Sequence, residues 1–72
     1  MDTQKKLALL EEMMDLEEGT LTPETLLNSL DEWDSLAKLS LIVLMEDECG
    51  KKITGNDVRS FTMVKEILEC MG

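Results

Sequence analysis

The sequence predicts an all-α fold: a small irregular four-helix bundle of three longer helices and one short helix, with a long loop after the first. Three observations predict it. Apolar residues recur at helical spacing in separate segments. Helix-start and helix-stop residues punctuate the chain between those segments. No segment alternates apolar and polar residues as a strand would. At 72 residues the chain has room for a single domain spanning 1–72.

The first helix is expected from about Thr3 to Asp15. Leu7, Leu10 and Met14 fall at i, i+3 and i+7 with Met13 beside them, and Glu11 and Glu12 read as the wet face. Gly19 marks a break. Leu16 to Trp33 then forms a long connection with its own punctuation. Thr22-Pro23-Glu24 places a hydroxyl cap, a proline and an acid where a helix starts. A short helical turn through Leu26, Leu27 and Leu30 should follow, its leucines pinning the loop to the core.

The central helix is expected to begin at Asp34 or Ser35 and to end at Cys49, with Gly50 as a left-handed cap. Leu36, Leu39 and Val43 make one stripe; Ile42, Met45 and Cys49 make another. The run Leu41 to Met45 is apolar almost all round, which predicts contact from several sides. A brief helix around Asp57 to Ser60 should hold Val58 inward. In the last helix, capped by Thr62, Val64, Ile67, Leu68 and Met71 give the cleanest amphipathic pattern in the chain.

Composition excludes several function classes. Sixteen acids against seven bases, with no histidine, give a net charge of −9, so nucleic acid and anionic membrane are unfavourable partners and basic protein surfaces are the complement. No apolar run approaches the roughly 18 residues of a membrane span, and no hydrophobic block before Glu11 suggests a secretory signal. The expected compartment is the cytoplasm. Cys49 and Cys70 then read as reduced thiols, half-buried as small hydrophobes, and two cysteines without histidine do not make a zinc site. With no histidine, no tyrosine and no glycine-rich phosphate loop, the chain reads as a substrate for enzymes and not as an enzyme.

One short string stands out, Glu32-Trp33-Asp34-Ser35-Leu36, at the head of the central helix. By itself Asp34-Ser35 is an ordinary helix start. In this register it carries more. Asp-Ser-Leu opening an amphipathic helix half-way along a small acidic chain resembles the acyl carrier proteins. The resemblance runs without a gap from Asp34 to Cys70. It includes Leu36, Leu39 and Val43, the acidic Glu46-Asp47-Glu48, then Gly50, Ile53, Val58, Phe61 and Thr62-Met63-Val64. The first helix and the long loop match in length and character only.

The resemblance implies that Ser35 carries 4′-phosphopantetheine, transferred from coenzyme A by a phosphopantetheinyl transferase, with Asp34 assisting attachment. It also implies that Leu36, Val43, Glu46 and Asp47 meet partner enzymes that load and process acyl or aminoacyl groups, with Val43 equally able to serve the core. Leu39, Ile42, Ile53, Val58, Phe61, Val64 and Leu68 would line the interior, and the protein would act as a monomer. Physics agrees with Ser35 as the acceptor, because a helix's first turn presents free N–H groups and the positive end of its dipole to a phosphate. An acid at a helix's carboxyl end opposes that dipole, so Glu46 and Asp47 suggest a use beyond stability.

The sequence departs from many fatty-acid carriers in its charge. Residues 1–34 hold ten acids and two bases, whereas residues 35–72 hold six and five. Ala37, Lys38 and Ser40 stand where the family often has acids, and Lys51, Lys52 and Arg59 lie nearby. Trp33 replaces a small residue, either as a mark of specialisation or as a plug holding the loop. These features imply a carrier dedicated to particular partners, of which fatty-acid, polyketide, amino-acid and surface-polymer pathways all offer examples. A different reading of the same surface is an unmodified acidic adaptor that binds a basic helix in a groove between its own helices.

Overall fold

Four α-helices and one 3₁₀ turn make up the architecture in a computed structural model that describes residues 2–72. Helix α1 spans Thr3–Met13, α2 Ser35–Cys49, α3 Gly55–Ser60 and α4 Val64–Met71, with the 3₁₀ turn at Leu27–Ser29. Helix α2 packs against α1 and α3, and α1 against α4. The all-α prediction holds: among the described residues there is no strand, only an isolated antiparallel bridge between Leu26 and Met63.

The core is drawn from every helix. Leu10, Leu27, Leu41, Met45, Val58, Val64 and Ile67 are its largest fully enclosed side chains. Burying a leucine- or isoleucine-sized side chain stabilises the fold by about 1.5–3 kcal/mol, so these few residues carry much of the hydrophobic driving force. Trp33 is buried and Lys38 Nζ lies 6.0 Å from its ring centroid, so the tryptophan fastens the end of the loop to the bundle. Cys49 and Cys70 are free and half-buried. No helix among the described residues is long and apolar enough to cross a membrane.

Local signals place the helix ends. Asp2 caps α1 by accepting the Lys5 N–H at 2.8 Å. Asp34 caps α2 by accepting from Ala37 at 2.9 Å, and Gly50, at φ 64°, closes it. There the Gly50 and Lys51 N–H groups donate to Glu46 and Met45 carbonyls. Glycine takes that conformation without the penalty a Cβ incurs. At α3, Thr54 and Asp57 bond each other's backbone N–H groups in a reciprocal box.

Four expectations are corrected. Helix α1 stops at Met13, because Met14 and Asp15 turn out of it, with Asp15 at φ 57°. Glu11 is not on the wet face but only 5 % exposed. The chain doubles back over it, and its carboxylate accepts the N–H groups of Gly19 at 3.0 Å and Leu21 at 2.9 Å. Thr22-Pro23-Glu24 starts a turn instead of a helix, since Thr25 Oγ1 accepts the Thr22 N–H at 3.0 Å. The short helical turn is consequently confined to Leu27–Ser29, and Leu26 faces out. Finally, Met63 and not Thr62 is the N-cap of α4. With no capping oxygen of its own, this end relies on Glu66, which accepts from Thr62 and Met63 at 2.6 and 2.8 Å.

The loop is also stitched to the start of α4. Leu27 N–H donates to Thr62, Val64 N–H to Thr25 and Lys65 N–H to Pro23. These bonds join segments roughly forty residues apart and satisfy backbone groups that a buried loop would otherwise leave unpaired. Together with Glu11 and Trp33 they hold the long connection along its length, so α2 begins at a fixed place on the surface.

Candidate functional site

Residues 34–36 project from that fixed start of α2. Asp34, Ser35 and Leu36 are all exposed, Leu36 to 72 %. Ser35 occupies the first helical position, and its side chain faces solvent. Unlike Ser29 and Ser60, whose hydroxyls are turned back onto carbonyls three residues earlier, Ser35 Oγ is not drawn into a bond of that kind. Asp34 Oδ1 is committed to the Ala37 N–H, which leaves Oδ2 outside the cap. An exposed hydroxyl in the first turn, beside a carboxylate, fits attachment of a phosphodiester: nothing need move to admit it, and the helix end favours its charge.

The remaining sequence-predicted residues share this helix. Val43 is 53 % exposed, and Glu46 and Asp47 are exposed. At 100° per residue, Ser35, Leu36, Leu39, Val43, Glu46 and Asp47 lie within an arc of about 120°. The structure therefore brings all of them to one face, with Asp34 at its head. Leu39 corrects an expectation. Expected in the interior, it is 60 % exposed, because Ala37, Leu41 and Met45 form the core side of α2 and Leu39 lies on roughly the opposite side of the helix. Val43, open to either reading, likewise faces out. The interior set is otherwise graded: Val58, Val64 and Leu68 are buried, while Ile42, Ile53 and Phe61 pack half-buried against the core.

Three exposed apolar side chains on one face, Leu36, Leu39 and Val43, form a contiguous stripe of the kind that marks an interaction surface. It separates two unlike grooves. On the α1 side, Leu9, Met13, Val43 and Leu44 form a floor bordered by Glu12, Asp47 and Glu48. On the α3 side, a cleft of about 270 Å³ is lined by Ser35, Lys38, Leu39, Ile42, Val58 and Arg59. Helical spacing alone could have placed Lys38 beside Ser35, three residues away. Arg59 reaches the same cleft only because α3 docks on α2, which no local pattern announces.

Compared with known protein families, curated proteins and solved structures, the chain matches none.

Proposed function

We propose that the protein is a carrier of acyl or aminoacyl groups, loaded with 4′-phosphopantetheine at Ser35. The observation that carries this reading is the placement of Ser35: exposed, at the first position of α2, on the same face as an apolar stripe that partner enzymes can grip. The arm supplies a thiol, which holds an acyl group as a thioester.

This chain's residues do the rest. Ser35 contributes a hydroxyl but no base, since the sequence has no histidine, so a separate transferase must remove its proton. In that reaction a bond forms between Ser35 Oγ and the phosphorus nearer the pantetheine, and adenosine 3′,5′-bisphosphate leaves. Asp34 holds the helix start in place through Oδ1, and its carboxylate would be available to help orient the reacting groups or to bind a metal that the transferase brings. Leu36 enters an apolar recess on the partner, Val43 adds contact area, and Glu46 and Asp47 meet its Lys or Arg side chains. Neither Cys49 nor Cys70 can replace the tethered thiol, because each is half-buried and neither is free to travel between active sites.

Incubation with coenzyme A and a broad-specificity phosphopantetheinyl transferase, followed by intact-mass measurement, tests the reading. Wild type gains one arm and Ser35→Ala gains none. Folded wild type that takes no arm from any of several such transferases overturns it. The acid-bordered groove between α1 and α2 supports a second reading in that event, an unmodified adaptor that binds a basic amphipathic helix.

A further inference from the structure

The cleft between α2 and α3 is electrostatically unlike the other grooves. Four other grooves on the described residues are each lined by two to four carboxylate side chains and by no lysine or arginine. The α2–α3 cleft reverses this: Lys38 and Arg59 line it and no acid does. Its floor is apolar, formed by Leu39, Ile42 and Val58, and Ser35 stands at its rim. Neither cation is consumed locally. Arg59 is steadied by neutral acceptors, the Gly55 carbonyl at 3.3 Å from Nε and Asn56 Oδ1 at 2.9 Å from Nη2. Lys38 rests over the Trp33 ring.

A purely hydrocarbon cargo has no use for two cations beside its seat. A phosphodiester on Ser35 has Lys38 beside it, three residues along the same helix, while Arg59 stands on the other helix that walls the cleft. A guanidinium fork is matched to a carboxylate or a phosphate, so a second anion carried on the cargo suits the opposite wall. We propose that this cleft is an anion-accepting seat, in which Lys38 and Arg59 receive a carboxylate at the free end of a short acyl group tethered from Ser35. The cargo class is thus a half-thioester of a dicarboxylic acid. The inference rests on the carrier reading above.

The test loads Ser35 from coenzyme A, butyryl-coenzyme A or succinyl-coenzyme A labelled with ¹³C at the free carboxyl, and confirms each product by intact mass. NMR then follows the backbone amides of Lys38, Val58 and Arg59 together with the titration of the labelled carboxyl. The expected result is a displacement of these amides by the succinyl form beyond that caused by the butyryl form or the unloaded arm. The acid dissociation constant of the succinyl carboxyl should also be about threefold or more higher in wild type than in K38Q/R59Q at low salt, since nearby cations favour the ionised form. The control K51Q/K52Q, with the same net charge as that variant, should stay near wild type. Should K38Q/R59Q unfold, Arg59→Gln alone at its exposed site gives the same comparison.

Equal amide displacements for succinyl and butyryl forms overturn the proposal in favour of an apolar seat. Full displacement by the unloaded arm overturns it in favour of the phosphodiester. Equal effects of the two double variants overturn it in favour of a general field. Each of these outcomes leaves the carrier reading standing, whereas absence of any loading removes both.

Discussion

The Glu11 carboxylate accepts the backbone N–H of Leu21 at 2.9 Å, and the same oxygen accepts that of Gly19 at 3.0 Å. A helix residue thereby fixes the entry of the long loop and seats Leu21, which is 3 % exposed, in the core. The bonds are charge-assisted and one lies in the interior, where an unpaired donor costs about 1–3 kcal/mol.

Glu11→Ala is accordingly expected to destabilise the protein by about 2–3 kcal/mol, and Glu11→Gln, which keeps an acceptor but not the charge, by about 1 kcal/mol. Urea unfolding of the three proteins measures this directly. An alanine variant within about 0.5 kcal/mol of wild type, the range of ordinary surface substitutions, would show the clasp to be dispensable.

Glu66 governs part of the response to acid. Hydrogen bonds from the backbone N–H groups of Met63 and Thr62, aided by the charge of Lys65, hold its carboxyl below its ordinary value of 4.5. A lowered folded-state value means that the contribution is fully present above the unfolded value and is lost as pH falls through the folded one. The stability gap between wild type and Glu66→Gln should therefore be constant near neutrality and shrink as pH drops below 4.5. Thermal unfolding across that range reads it, and a gap that widens toward acid would reverse the assignment.

Reversal of Glu46 and Asp47 to lysine is expected to slow modification of Ser35 by about three- to tenfold at low ionic strength, mainly through the encounter rate. The deficit should fade as salt is added, because exposed charges are screened over about 10 Å at 0.1 M. Initial rates at two salt concentrations suffice. Unchanged rates at low salt would place the docking surface elsewhere.

Helix α2 was legible from sequence because its ends are set locally: Asp34 caps its own first turn, and Gly50 closes the last. The short α3 and its inward Val58 were also foreseen, although the helix begins at Gly55, two residues before the expected Asp57, because Thr54 caps it. Glu11, Leu39 and the loop were less transparent for one common reason. Whether an acid on α1 is wet depends on a loop ten residues further on, and the burial of Leu39 depends on how much of α2 is covered by its neighbours. The Leu26–Met63 bridge lies between segments that no periodicity connects. At the site, Ser35, Leu36, Val43, Glu46 and Asp47 were singled out by the resemblance, and because they share one helix its spacing suffices to place them on one face; the α2–α3 cleft needs two helices and was not legible.

The backbone stitches between residues 23–27 and 62–65 also make the long connection depend on a distant part of the chain. A fragment that stops before residue 62 still contains Ser35 but lacks the partners that hold the loop leading to it.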